Sequence, residues 1–447
     1  MHGFNGALDT LLSRAFGAKQ YDFVGHQLNT SRILMLICWL FVTPFMVFSD
    51  DILIFLKQDR DSSVQAQIYL AYLVPGMLFL FISDTQRRLL QAFKLVKFQT
   101  FIVGISAVIH YFLASYLVIN LKMGVKGASI ATSLVYLISM ILSLLASITQ
   151  SELRKALIPL KWEMLLFRQL IGIGTYNMLM NSLKWYSFQY LSLLAGAQLG
   201  VVEQTSFALV FQYCLSSIQF ATGISISVCQ IISSNIGQKN YEAAKSYGIF
   251  VYQLGFPVSI VFCFVTYFSK YQITRFFTSD PEISSTMLET FEIVTVSIFF
   301  DFFQQLQLGI IRGLGLYKVA SKANFIAYQI ILIPFVTIVL IFVWKDTRVL
   351  WITLFLAYFS VNIGYFILIW GTDLKGSSFH KEDQLLNSHK KNDQISSNEV
   401  LQDCSDNILY QSIQNKENEL RENLLGNNDN KIKSQKSYST NDYSDSD

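Results

Sequence analysis

Leu8–Tyr21 reads LDTLLSRAFGAKQY, and Val228–Tyr241, 220 residues further on, reads VCQIISSNIGQKNY. Each is the end of an apolar helix running into Gly-x-Lys-x-Tyr: Gly17, Lys19 and Tyr21 in one, Gly237, Lys239 and Tyr241 in the other. The offset recurs downstream. Leu90-Gln91-Ala92 stands opposite Ile311-Arg312-Gly313 at nearly the same offset, 221, and the apolar segment 124–149 opposite 344–369 at 220. Both copies enter their loop in the same direction, so an even number of helices separates them. That is a parallel repeat about an axis along a membrane normal. Two bundles of six helices are implied. The second half opens with segment 164–195, whose counterpart falls at negative residue numbers. The first half is therefore expected to lack its first helix and the outer part of its second.

Composition agrees with a membrane-embedded chain. Of 447 residues, 52% are hydrophobic and 15% charged, against roughly 25% charged in an average soluble protein. The charge is uneven. Residues 1–370 carry 25 Lys and Arg against 17 Asp and Glu, while residues 371–447 carry 9 against 14. This excludes a soluble enzyme, and without a dense basic face it excludes a nucleic-acid binder. The five cysteines and five histidines are scattered, with no disulfide framework or metal spacing. No GxxxxGK[ST] motif supports ATP-driven work. The residues after Met1 have neither the basic nor the apolar region of a signal peptide.

A bilayer core of about 30 Å takes around 20 apolar residues per helix. Ten segments meet that length: 32–56, 66–90, 98–120, 124–149, 164–195, 201–235, 243–268, 285–311, 321–344 and 349–370. Residues 3–18 form a further helix end too short to span. Trp162, Trp344, Trp351 and Trp370 fall near proposed helix ends, as an aromatic belt would. One set of loops holds twice the Lys and Arg of the other, including Arg14, Lys19, Arg87, Arg88, Arg154, Lys239 and Arg312. The positive-inside bias places that set in the cytoplasm, and with it the tail. The expected organisation is an N-terminal lobe over 1–149, a cytoplasmic linker over 150–163, a C-terminal six-helix lobe over 164–370, and a tail over 371–447. The tail is too polar to bury a core and is expected to be disordered and cytoplasmic.

Several motifs together carry a resemblance. Gly6-Ala7-Leu8-Asp9-Thr10-Leu11 is followed by Ala15-Phe16-Gly17-Ala18-Lys19-Gln20-Tyr21; then come Arg87-Arg88-Leu89-Leu90-Gln91, Gly124-Val125-Lys126-Gly127-Ala128-Ser129-Ile130-Ala131-Thr132, Glu203-Gln204-Thr205-Ser206, and Gly309-Ile310-Ile311-Arg312-Gly313-Leu314-Gly315. Five motifs in this order, over residues 3 to about 370, resemble the multidrug and toxic compound extrusion (MATE) family, in its eukaryotic branch. The resemblance implies an all-α, two-lobed antiporter, here with about ten full spans and a partial one. Such a protein exports amphipathic organic compounds, often cations, in exchange for protons or sodium. It needs no cofactor, works as a monomer in a plasma or endomembrane bilayer, and takes small organic substrates as its partners. The family's seventh helix usually reads Glu-Trp-Trp/Tyr-x-Phe/Tyr-Glu. Here Lys184-Trp185-Tyr186-Ser187-Phe188-Gln189 replaces both acids.

Charges inside spans mark the candidate site, because an ionised side chain at mid-helix costs about 2.5–3.5 kcal/mol on insertion scales. Glu203 opens the 201–235 segment, where the helix dipole favours its anion and burial opposes it. Asp301 lies mid-helix in 285–311. Lys184, deep in 164–195, is expected to be deprotonated, to snorkel, or to pair with Glu203 or Asp301. Gln189 can hydrogen-bond but cannot cycle a proton. Trp185 and Tyr186, with Phe188, Phe207 and Tyr213, offer rings on which a planar or cationic compound stacks. Asp84 with Arg87 and Arg88 has the spacing of a local structural ion pair. Other readings stay open. A lipid-linked sugar flippase of the same superfold needs several basic residues for pyrophosphate, and Lys184 is the one within a span. A membrane enzyme needs a cluster of His, Cys or acids at one face, and none is found. A coupling-defective transporter relic would also account for Lys184 and Gln189.

Overall fold

The computed structural model describes residues 2–55 and 59–371. The tail expectations concern residues outside these. In chain order the helices are α1 (His2–Gly17), α2 (Tyr21–Val47), α3 (Ser49–Phe55), α4 (Arg60–Ala92), α5 (Val96–Ser115, prolonged by a π turn to Asn120), α6 (Gly124–Thr149), α7 (Ser151–Ala156), α8 (Phe167–Gln198), α9 (Val201–Gly237), α10 (Tyr241–Phe268), α11 (Lys270–Phe277), α12 (Pro281–Leu314), α13 (Tyr317–Phe325, prolonged by a π turn to Leu332), α14 (Ile333–Ile338, prolonged by a second π turn to Val343) and α15 (Thr347–Trp370). Among the described residues, nine helical stretches are long and apolar enough to cross a membrane. The chain is a multi-pass membrane protein.

α8 is not among the nine, although its 32 residues reach about 48 Å. Asn177, Asn181, Lys184 and Gln189 make it too polar. The expected span 164–195 is thus a helix of spanning length whose polarity is concentrated in the candidate site. The expected 32–56 span differs more. α2 starts at Tyr21 and stops at Val47, because its first three turns are polar and escape a hydropathy criterion. Those side chains are tied down instead. Gln27 donates to Gln169 Oε1 at 2.8 Å, Asn29 to the Ile158 carbonyl at 3.1 Å, and Thr30 Oγ1 accepts from the Leu166 N–H at 3.0 Å. This end of α2 therefore holds the connection between the two halves.

The repeat is visible in how helices end. The N–H of Gln20 reaches the Ala15 carbonyl at 3.0 Å, Leu95 reaches Leu90 at 2.8 Å, Asn240 reaches Asn235 at 2.9 Å, and Leu316 reaches Ile311 at 3.0 Å. Each is a Schellman ending with its C′ residue in the left-handed region: Lys19 at φ +57°, Lys94 at +62°, Lys239 at +61° and Gly315 at +78°. Lys19 pairs with Lys239 across the repeat, and Lys94 with Gly315. A left-handed lysine carries backbone strain that glycine lacks. Lys94→Gly should therefore stabilise the protein by roughly 0.5–1 kcal/mol, read as a rise in melting temperature in detergent.

α1 and α9 cross where the two motif glycines meet. A Cβ on Gly17 would overlap the Ser234 carbonyl, and one on Gly237 would overlap the Arg14 carbonyl. Ser234 is the counterpart of Arg14 at the same 220-residue offset, so each helix meets the other through the same position. The neighbouring contacts are not matched. A Cβ on Gly3 would run into the Met178 backbone of α8, while its counterpart Gly223 has nothing within 4 Å. Gly223 lines a cavity of about 590 Å³ with Phe220, Ser227, Tyr247, Phe250 and Leu306. Among the described residues, no helix fills the position beside Gly223 that α8 fills beside Gly3.

α12 packs along α9, α15 and α10, and its buried face carries Phe291, Val294, Ile298 and Phe302 into the main apolar core. Trp351 belongs to that core rather than to an aromatic belt. It is 2% exposed, with its ring 5.2 Å from Phe207, because α15 begins at Thr347 with this face turned inward. Trp162, Trp344 and Trp370 are exposed, as an interfacial position requires.

Candidate functional site

Lys184 and Asp301, 117 residues apart, meet inside the bundle. Lys184 Nζ donates to Asp301 Oδ1 at 2.5 Å, with the two side chains 17% and 10% exposed. The sequence left Glu203 and Asp301 both open as the partner of Lys184, and the fold selects Asp301. The ammonium also sits 5.1 Å from the Tyr358 ring centre and 5.9 Å from that of Phe188. Tyr358, Cys214 and Tyr328 lie within the electrostatic reach of Asp301.

The positions of the two charges are fixed by the helices that carry them. Ser187 accepts from Gln329 Nε2 at 3.3 Å, and the same amide donates to the Leu183 carbonyl at 3.4 Å. Gln329 belongs to the π turn after α13. That turn also aims Tyr328 at Gln304, one helical turn beyond Asp301, with contacts of 3.3 and 3.4 Å. A π turn carries an extra residue per turn and rotates the side chains beyond it. It is placed here beside the ion pair.

The rings form a connected row. Phe188 stands 6.4 Å from Trp185 and 4.2 Å from Phe211, and Phe211 stands 6.2 Å from Phe207. Phe207 is buried, whereas Trp185 is 49% and Tyr186 58% exposed. Tyr213 bonds Thr266 across α9 and α10 at 2.8 Å. Of the proposed stacking residues, Trp185 and Tyr186 are accessible, and Phe188 forms the floor between Trp185 and the ammonium. Gln189 is exposed on the same helix. Glu203 stands apart, half-buried in the first turn of α9 beside Gly200. Cys214, the α9 residue at the level of Asp301, lies about 16 Å further along the axis.

A second buried polar cluster joins α1, α2 and α4. Arg88 bridges Asp9 at 2.5 Å and Asp84 at 3.2 Å, Arg87 pairs with Asp84, Asn5 donates to Asp84 at 2.7 Å, and Ser31 donates to Asn5 at 3.0 Å. The local Asp84–Arg87–Arg88 pairing follows from helical spacing. The Asp9 contact does not, because Asp9 is 79 residues away in sequence, and a charge beside Thr10 in an apolar helix is its one signal. Thr10 then ties α1 to the other half, donating to the Arg312 carbonyl at 2.8 Å and meeting Tyr317 Oη at 2.5 Å. Both acids are matched by guanidinium, which marks this cluster as a structural anchor. No group of three or more His, Cys, Asp or Glu among the described residues could hold a metal ion.

The family model described as MatE matches residues 1–116 and 177–338. The chain belongs to the MatE family. Both members of the ion pair, and the Gly17 and Gly237 crossing, lie inside the matched residues of this MatE chain. Multidrug and toxin extrusion protein 1 of Rattus norvegicus is 26% identical over 346 residues, 77% of this chain and 61% of the rat protein. Protein DETOXIFICATION 7 of Arabidopsis thaliana is 26% identical over 339 residues, 74% of this chain and 66% of its own. The chain thus spans about three fifths to two thirds of the length of these relatives. Among solved structures, the eukaryotic MATE transporter AtDTX14 superposes with a TM-score of 0.77 at 20% identity, covering 83% of this chain and 84% of the other. An outward-facing multidrug resistance MATE family transporter gives 0.73 at 15% identity, covering 82% of each. The all-α MATE-like architecture is therefore as expected.

Proposed function

We propose that the chain is a secondary transporter of amphipathic organic compounds, coupled to protons at the Lys184–Asp301 pair and seating its substrate on Trp185 and Tyr186. One observation carries this reading: an ion pair held within an apolar bundle, with its ammonium still reachable beside exposed rings. Unlike the closed Asp9–Asp84–Arg88 cluster, this pair is partly exposed beside half-exposed rings, so a functional role accounts for it better than a structural role. The relatives' description as multidrug and toxin extrusion proteins supports the substrate class. The Lys and Arg bias of the loops supports a cytoplasmic location for the Gly17 and Gly237 end. The internal repeat supports two lobes, 1–149 and 164–370, and the bias supports a cytoplasmic side for the linker between them.

Purified chain in proteoliposomes should take up an amphipathic aromatic probe when a pH gradient is imposed. Absence of such uptake for acidic, neutral and basic probes alike would overturn the transporter reading in favour of a relic. Exchange of an organic cation for H⁺ or Na⁺ is the mode the family resemblance implies. In this site the incoming cation must first displace the Lys184 ammonium, and a second positive charge is unfavourable at low dielectric. Lys184→Gln removes the resident cation. Tetraethylammonium affinity should then rise by about tenfold, equivalent to ~1.4 kcal/mol, measured as the half-saturating concentration for uptake. Unchanged affinity would show that cations do not reach Asp301.

A further inference from the structure

We infer that the Lys184–Asp301 site binds an amphipathic acid, a carboxylate or sulfonate on an aromatic body, together with one proton. This names the substrate class for the site proposed above and rests on that reading.

The argument is one of charge. The ionised pair is neutral as it stands, with Lys184 Nζ 2.5 Å from Asp301 Oδ1. A cation arriving alone leaves the site with a net positive charge, and an anion arriving alone leaves it net negative. Either costs several kcal/mol in an apolar interior. An anion arriving with a proton leaves it neutral, as does a cation arriving as Lys184 loses one; the ammonium is the more exposed member of the pair, which favours the anion. The proton goes to the Asp301 carboxylate. The ammonium of Lys184, having lost its counter-charge, is then free to bind the incoming acid group. Each ligand creates the condition for the other, so proton and acid bind with positive linkage.

The surroundings allow this. Among the described residues, the titratable groups placed against Asp301 include Lys184 from α8, Cys214 from α9, Tyr328 from the π turn after α13 and Tyr358 from α15. On α10, Cys263 is engaged with the Thr295 carbonyl and Tyr252 packs on Phe303. Lys270 and Arg275 of α11 lie beyond the far end of α10. Lys184 is thus the cation available to an acid at this level, and Asp301 the acid available to a proton. The Phe188 ring lies 5.9 Å from the ammonium and 6.4 Å from the half-exposed Trp185 ring. A planar body stacked on Trp185 therefore places its charged head at Lys184.

The test uses the full chain in lipid nanodiscs and two probes of one shape, 2-naphthalenesulfonate and (2-naphthylmethyl)trimethylammonium. Neither probe titrates, so any proton exchanged belongs to the protein. Calorimetry in buffers of different ionisation enthalpy should count about one proton taken up per sulfonate bound. Affinity should fall with rising pH, by about tenfold per unit where one full proton is taken up on binding. Lys184→Gln should lose sulfonate binding at every pH. Asp301→Asn should bind it at every pH without proton uptake; should that variant not fold, the proton count on the wild type decides. Sulfonate binding without proton uptake would overturn the inference. So would tighter binding of the ammonium probe with proton release, though the transporter reading would then stand. Binding of neither probe would overturn both.

Discussion

Asp301→Ala should lower the stability of the folded protein by about 3–5 kcal/mol, the usual cost of leaving one member of a buried ion pair without its partner. The Lys184 ammonium would keep the Tyr358 and Phe188 rings but lose its counter-charge. Lys184→Met in the same chain removes that charge and should recover most of the loss. The two substitutions are therefore strongly non-additive. Thermal unfolding of the two single variants and the double variant in one detergent gives the comparison. An Asp301→Ala protein as stable as wild type would mean that the ammonium finds another acceptor. Transport should stay absent in the double variant even after its stability returns, which separates the coupling role of the pair from its contribution to folding.

The second large effect is expected at the α1–α9 crossing. Gly17→Leu or Gly237→Leu puts a side chain where the facing carbonyl of Ser234 or Arg14 now lies. Neither partner is a flexible side-chain end, so the helices must separate, and overpacking of this kind costs about 1–3 kcal/mol or more. Separation would also pull on the Thr10 contacts with Arg312 and Tyr317. Because the clash is steric, Gly17→Ala should already show a measurable part of it. Expression level and monodispersity on size exclusion report the loss. A well-folded Gly17→Leu protein would show that the crossing is loose.

Much of the fold was legible because hydropathy and the 220-residue offset are both local quantities. α6 begins and ends where the sequence places it, and α12 and α15 differ by a few residues. The failures have non-local causes. α2 escaped in part because its buried polar residues are satisfied by the Ile158 and Leu166 backbone and by Gln169, which no window of residues reveals. Trp351 was assigned to an interface by its position near a helix end, but its orientation is set by Phe207 across the core. At the site, a lysine inside a span announces that it needs an acid. Which acid depends on helix register. Glu203 starts its helix about 16 Å from the level of the pair, whereas Asp301 sits opposite. The Asp9–Arg88 bridge required the same non-local information.

The distance in sequence between Lys184 and Asp301 has a consequence for how the protein is made. The chain emerges from the ribosome at about 5–20 residues per second, so the 117 residues between them take roughly 6–23 seconds. During that interval α8 has left the ribosome, too polar to enter the bilayer on its hydropathy, and the acid that neutralises its lysine does not yet exist. Insertion of α8 must therefore be deferred, or assisted by the translocation machinery and by α1 and α2 already in place, until α12 arrives. A nascent chain arrested just before residue 301 should therefore leave α8 exposed to the aqueous side.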